Sequence, residues 1–289
     1  MQNTIATAIS GRGKGFSQAV VHFSINPAPE NCGIKIVRTD GFPIEVYNSS
    51  TVLTSPAWLE SNGFDLNTAK PLIAIFRVLG IDNVIVEVDG TELPSMGKSA
   101  ESYLFLVRSA GKRQQFVEKG TIHLSQPIVV SDKGKWIRLI PSTKFRLACL
   151  NSSFQKSFPF YNFGTLVEFS EALFVTEMCR AHSSLEIKKA WNALSVDDLP
   201  ENTQKIRKQK LIREMNYREL FASLCGLTVL KLDFSFDYVS FNADQAIRDK
   251  LILTLLENAS TYLSERTEIN ENQANANDIT HSKSLAIGY

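Results

Sequence analysis

The stretch Pro71-Leu72-Ile73-Ala74-Ile75-Phe76-Arg77-Val78-Leu79-Gly80-Ile81-Asp82-Asn83-Val84-Ile85-Val86-Glu87-Val88 reads as a helix, a stop and a strand. Leu72, Ile75, Phe76 and Leu79 recur at helical spacing, so one face is apolar. Pro71 suits the first turn, where its missing N–H costs nothing. Gly80 supplies the left-handed residue that ends many helices. Val84, Val86 and Val88 then alternate with the period of a strand. A second helix starts near Ser99, turns Leu104 and Val107 inward and ends at Gly111.

The same order returns later. Lys210 to Leu224 reads as a helix, followed by Cys225-Gly226-Leu227. Leu230, Leu232, Phe234, Phe236 and Tyr238 alternate strictly, as a strand does. A last helix is expected from about Ala243 to Leu263, with Ile247, Leu251 and Leu255 on one face. Two runs of one order predict a duplicated unit, hence an α+β protein in two similar halves with sheets and helices in layers. The halves are placed at 1–112 and 121–264. A polar linker over 113–120 joins them, and a flexible tail over 265–289 follows.

Around this frame, Val21, Phe23 and Ile25 alternate with His22 and Ser24 as a half-buried strand. Ile34 to Arg38 reads similarly, with Pro27-Ala28-Pro29 and Asn31 to Gly33 turning the chain between them. Ile122 to Val130, Trp136 to Ile140 and Phe145 to Leu150 read as further strands. Ser170 can cap a helix carrying Leu173, Phe174 and Met178. The stretch near 184–208 is charged, amide-rich and broken by Pro200, so it reads as an exposed insertion with some helix.

Lys and Arg total 31 against 30 Asp and Glu. That balance gives no bulk charge to hold a nucleic acid. No apolar run reaches the roughly 18 residues that span a bilayer. Met1 to Ser10 lacks a basic start with an apolar core, so the cytoplasm is the expected location. Cys32, Cys149, Cys179 and Cys225 form no CxxC pair and are expected as reduced, buried thiols.

Several short runs carry a resemblance. They are Asn26-Pro27-Ala28-Pro29 with Gly33 and Arg38-Thr39-Asp40, then Leu79-Gly80-Ile81-Asp82-Asn83 with Val86-Glu87-Val88. Glu92-Leu93-Pro94 with Met96 and Ser99-Ala100 follows, then Ser109-Ala110-Gly111, Gly134-Lys135-Trp136 and Cys179-Arg180-Ala181. In this order they resemble the UDP-3-O-acyl-N-acetylglucosamine deacetylase family of lipid A synthesis, over about residues 4 to 256, with a shortened stretch between His182 and Tyr217. The resemblance implies two α+β halves with the active site between them. It also implies zinc-assisted amide hydrolysis, with two His and one Asp on the metal, a Glu as general base and a further His as acid or electrostatic partner.

At the matching positions this chain has Lys70-Pro71 for the Glu-His pair and Tyr217 and Phe221 for the later His and Asp. Asp244-Gln245 stands for a Gly-His, and Phe16 for a His in the Gly-rich turn Gly11-Arg12-Gly13-Lys14-Gly15. Proline and phenylalanine offer no ligand atom, and tyrosine is a poor zinc ligand. The expectation is therefore a pseudoenzyme without zinc, a binding or regulatory protein of lipid A biosynthesis. Its partner would be the active deacetylase, another protein of that pathway or a UDP-linked acyl-glucosamine. An active hydrolase with a relocated site would instead gather Asp82, Glu87, Asp244 and His182; a structural partner protein is a third reading.

Arg218 keeps the cation of a family Lys that contacts substrate phosphates, though it can equally be an ordinary solvated helix charge, and Ser183 keeps the hydroxyl of a family Thr near the substrate. Ser184 replaces an aromatic residue. His22, His123 and His281 lie away from the family's metal positions. The run Lys205 to Lys210, interrupted by Ile206 and Gln209, reads as a solvated helix face that could meet an acidic partner.

Overall fold

The computed structural model describes residues 1–50, 63–97, 99–150, 164–194 and 200–267. Most of the expected tail, with His281, lies outside the described residues.

Each half is built on a five-stranded sheet. The first contains β2 (Ile9–Lys14), β3 (Val20–Pro27), β4 (Ile34–Arg38), β5 (Ile44–Asn48) and β6 (Val84–Val88), in the order β2-β3-β6-β4-β5. The second contains β9 (Ile128–Asp132), β10 (Lys135–Pro141), β11 (Arg146–Leu150), β12 (Gly164–Glu168) and β13 (Phe236–Phe241), in the order β12-β11-β13-β10-β9. Numbered within each half, the two orders are identical. In both, the fifth strand slots between the second and third and runs parallel to the third, as β6 does to β4 and β13 to β11. The duplication read from the helix–strand–helix echo is thus a duplication of sheet topology. The fold is α+β in two sheet-containing halves.

Helix α1 (Lys70–Val78) enters the fifth strand of the first sheet, and α2 (Glu101–Ser109) leaves it. Pro71 sits in the first turn of α1. Gly80, at φ 68°, ends it: Ile81 N donates to Phe76 O at 2.8 Å and Gly80 N to Arg77 O at 3.1 Å. Leu72, Ile75 and Phe76 are fully buried, each contributing roughly 1.5–3 kcal/mol.

In the second half, α3 (Glu171–Leu173) starts at Ser170, whose hydroxyl accepts from Leu173 N, and runs into a wider turn over Phe174–Met178. Then come α4 (Ser184–Leu194), α5 (Glu201–Leu227), α6 (Gln245–Glu257) and α7 (Ala259–Tyr262). Helix α1 packs on α5, and one apolar core runs through both halves. No helix of the described residues is long and apolar enough to cross a membrane.

Three local expectations change. The stretch near 184–208, expected as an exposed insertion with some helix, is helical over its described residues, and α4 packs against the first half of α5 and buries Ile187. The alternation from Leu230 to Tyr238 becomes a strand only at Phe236. Leu230 and Leu232 are buried from an extended loop, and Phe234 stacks on Phe145 with centroids 4.8 Å apart. Burial of every second residue made that loop look like a strand. The last helix breaks at Asn258, whose side chain donates to Thr254 O at 3.0 Å. The chain then forms β14 (Leu263–Thr267), antiparallel to β8 (Gly120–Leu124). The junction between halves is itself paired, β7 (Lys112–Gln114) against β1 (Asn3–Ile5).

Candidate functional site

A cleft of about 340 Å³ opens between the halves. Apolar groups line much of it, Pro71 of α1, Leu93, Pro94 and Met96 after β6, Tyr103 of α2 and Phe221 of α5, with Asn67, Thr68, Ser95 and Ser99 between them. Phe16, from the turn after β2, stands at its edge. Besides Phe221, the second half contributes Ser183, Glu186 and Arg218.

Local chemistry fixes these positions. Buried Glu92 accepts hydrogen bonds from the amides of Phe16 and Ser17, both at 2.9 Å, and from the Ser17 hydroxyl. The Ser17 hydroxyl, helped by the amides, holds the Glu92 carboxyl below the usual carboxylate range. Gly15 makes room for this anchor, since a Cβ there would stand 2.1 Å from Glu92 Oε1. Thr68 Oγ1 accepts from Leu93 N at 2.8 Å, and Tyr103 Oη donates to Pro94 O at 2.6 Å. Both bonds tie the loop after β6 to the helices beneath it. Burial pushes the Tyr103 phenol well up, so it stays neutral. Across the cleft, Ser183 Oγ accepts from Glu186 N at 3.3 Å and starts α4. The Arg218 guanidinium lies 5.7 Å from the centre of the Phe221 ring.

Of the residues singled out in the sequence, Phe16, Pro71, Ser183, Arg218 and Phe221 share this cleft. Lys70 and Gln245 meet elsewhere, at one carboxylate. Lys70 Nζ lies 3.4 Å and Gln245 Nε2 2.7 Å from Asp249 Oδ1. Tyr217 is half-buried under Arg213, whose guanidinium is 5.5 Å from its ring centre, while Phe221 packs against Phe174.

Asp82, Glu87, Asp244 and His182 do not converge. Asp82 pairs with Lys119 at 2.8 Å, and Glu87 accepts from Ser24 on the outer face of the first sheet. Asp244 caps α6 and pairs with Lys135, and His182 meets Glu214. Among the described residues, no three His, Cys, Asp or Glu side chains cluster as metal ligands would.

The sequence reading missed Asn67, Thr68, Ser95, Gly97, Tyr103 and Glu186 of this cleft, and Glu186 is the one among them with an ionisable carboxylate. Its signal was present: Ser183-Ser184-Leu185-Glu186 is the Ser-x-x-Glu pattern of a helix capping box.

A family-wide sequence profile, UDP-3-O-acyl N-acetylglycosamine deacetylase (LpxC), matches residues 2–199. The UDP-3-O-acyl-N-acetylglucosamine deacetylase of Chromohalobacter salexigens is 34% identical over 190 residues, covering 63% of this chain and 62% of that protein. Those of Shewanella sp. strain W3-18-1 and Shewanella oneidensis are each 33% identical over 190 residues, covering 63% of this chain and 61% of each relative. The chain thus spans less than two thirds of the length of these curated relatives.

These findings correct the expectation of a pseudoenzyme and of a protein that is not an enzyme. The relatives are named as deacetylases, and nothing in the comparison sets this chain apart as inactive. The inactive reading also leaned on Tyr217, Phe221 and Gln245, which lie beyond the matched residues 2–199. The chain belongs to the UDP-3-O-acyl N-acetylglycosamine deacetylase family.

Proposed function

We propose that this chain is a deacetylase-like hydrolase of lipid A biosynthesis, acting on a UDP-linked acyl-glucosamine in the cleft between its halves. One observation carries the reading: a carboxylate, Glu186, and a guanidinium, Arg218, line the same cleft as a set of apolar side chains. Such a cleft suits a ligand with a fatty acyl group, a charged diphosphate and an amide.

The family's chemistry implies zinc. Pro71 and Phe221 carry no donor atom, and Tyr217 is turned to Arg213, so the residues at these positions do not fit that metal. The chain's own groups divide the work. Arg218 holds phosphate charge. Glu186 takes a proton from the water that attacks the acetyl carbonyl and returns one to the departing amine, giving acetate and a free amine. Leu93, Pro94, Met96 and Phe221 receive the acyl chain and keep water from it.

The test is acetate release from the UDP-linked acyl-N-acetylglucosamine by the purified chain. Turnover is expected, with Glu186→Gln lowering kcat by about 10²–10⁴-fold and Arg218→Gln raising KM. Absence of acetate, or full turnover by the Glu186→Gln variant, would overturn the reading.

A further inference from the structure

Alternate residues of each sheet point into the core and leave the others on an outer face. Phe23, Ile36 and Val86 are the buried side of the first sheet, and Ile137, Leu147 and Tyr238 that of the second. Because the two strand orders are the same, the outer faces can be compared strand by strand. One row of paired residues crosses the first sheet as Ser10, Ser24, Glu87, Val37 and Glu45. A row in the same strand order crosses the second sheet as Val129, Arg138, Val239, Ala148 and Leu166. The first row is polar but for Val37, and the second is apolar but for Arg138.

The next row of the second sheet is Ser131, Trp136, Phe241, Leu150 and Gly164. Trp136 stacks on Phe241 with centroids 6.1 Å apart. Leu166 is 68%, Val129 54% and Leu150 43% exposed. These two rows hold no Lys, Asp or Glu. Their one charge, the Arg138 guanidinium, lies 5.9 Å from the centre of the Trp136 ring. Water does not favour such a face, since each large aliphatic side chain left exposed forgoes roughly 1.5–3 kcal/mol of burial. Trp, Phe and Arg without Lys, Asp or Glu is the composition of the centre of a protein–protein interface. The first sheet is the internal control: the same topology carries a polar face where water is the neighbour.

What covers the face must match its shape and charge. The flanking charges cancel one another, Arg146 with Asp237 and Lys144 with Glu168 at 2.9 Å. A copy of the same face is therefore not repelled. Two sheets of the same twist also pack face to face, at about −30° and about 10 Å apart. A second copy of this chain brings a face of the same size and twist with the same neutral rim. We propose that two copies pack the outer faces of their second sheets together about a two-fold axis, with Leu166, Val129, Trp136 and Phe241 between them. Five strands by about five residues make a face of about 24 by 17 Å, or roughly 400 Å² of flat surface on each copy. That is small for a specific interface, so the dimer should be weak, forming at about 10–100 µM protein. Helix α5, with Arg218 and Phe221, lies against the opposite face of the sheet, where Cys149 and Ser223 meet at 3.5 Å. The dimer thus leaves the cleft open and stands apart from the hydrolase reading.

The test is sedimentation equilibrium of the whole chain from about 5 to 500 µM. The average mass should rise from one chain toward two. Leu166→Glu should weaken the association at least about a hundredfold, because the two-fold axis places the change in the interface twice. Val129→Glu, on the far edge strand, should do the same. Both positions are more than half exposed, so circular dichroism should show the parent's secondary structure. Phe42→Ser removes an apolar side chain that is 92% exposed in the first half, and it should leave the dimer unchanged. A chain that is monomeric at every concentration overturns the proposal. So does a dimer that survives both glutamate variants, or one that Phe42→Ser weakens as much as they do. A monomer that sediments with phosphatidylcholine vesicles, and no longer does so as Leu166→Glu, would assign the face to lipid and overturn it as well.

Discussion

Lys70 Nζ lies 3.4 Å from Asp249 Oδ1, so a buried ammonium in the first turn of α1 ends on a carboxylate of α6 in the other half. The Gln245 amide donates to the same oxygen. Truncating the acid strands the cation. Because the Asp249 side chain is 45% exposed and water reaches it, Asp249→Ala should cost only about 1–2 kcal/mol, well short of the loss from a fully buried pair. Lys70→Met removes the charge that needs a partner and should cost less. Urea unfolding of both variants checks this; an Asp249→Ala protein as stable as the parent breaks the link.

Glu92 gives the fold an acid-sensitive anchor. The Ser17 hydroxyl, then the Ser17 and Phe16 amides, hold its carboxyl below the usual range in the folded chain. Unfolding returns it to about 4.3. Between the two values the unfolded state binds more protons, so stability falls as pH falls. The contribution is complete above the unfolded value and lost as pH drops through the folded one. Acid unfolding of Glu92→Gln should therefore show a shallower pH dependence below about pH 4.3. Parallel curves for variant and parent would refute the anchor.

Gly15 is required by the same carboxylate. A Cβ there would lie 2.1 Å from Oε1 and 2.4 Å from Cδ of Glu92, which is pinned by three hydrogen bonds and cannot swing away. Gly15→Ala should cost about 1–3 kcal/mol by overpacking, and should raise KM for the acyl substrate because Phe16 moves with the turn. Thermal unfolding and steady-state kinetics read the two effects separately. Parental values in both would show that the turn gives way freely.

The sequence showed the duplication because α1, Gly80 and β6 obey local rules: helical spacing, a glycine stop and strict alternation. The identical strand orders of the two sheets come from long-range pairing, such as Ile36 beside Val86 and Ala148 beside Val239, which no local period encodes. Phe234 misled because a loop buried on alternate residues has a strand's pattern. In the cleft, Pro71, Ser183, Arg218 and Phe221 were legible through family resemblance. Glu186 was passed over although its capping spacing was in view, because the stretch around it is charged and looks like loop. That Gln245 and Lys70 share Asp249 depends on docking α6 against α1, which composition cannot reveal.

The four thiols should divide three to one. Cys149, Cys179 and Cys225 are buried, and burial pushes the last two up to about 12. Cys32 is partly open, though burial raises it too. A thiol reagent on the native chain should titrate one cysteine, faster as pH rises, and all four after denaturation. Rapid reaction of more than one in the folded protein would contradict this packing.

Arg248 is the second buried cation, only 9% exposed. Its Nη2 donates to Glu219 Oε2 at 3.2 Å and to Ala243 O at 3.1 Å, joining α6 to α5 one residue after Arg218. With both partners shielded from water, screening is weak, and Glu219→Ala should cost about 3 kcal/mol. Most of that is the penalty of an orphaned guanidinium, so adding Arg248→Met should recover part of it. The double variant should therefore be more stable than the Glu219→Ala single variant. In a double-mutant cycle, strictly additive losses would mean that the two charges do not interact across the helices. A recovery would place the pair among the contacts that set the angle of α5, and with it the position of Arg218 in the cleft.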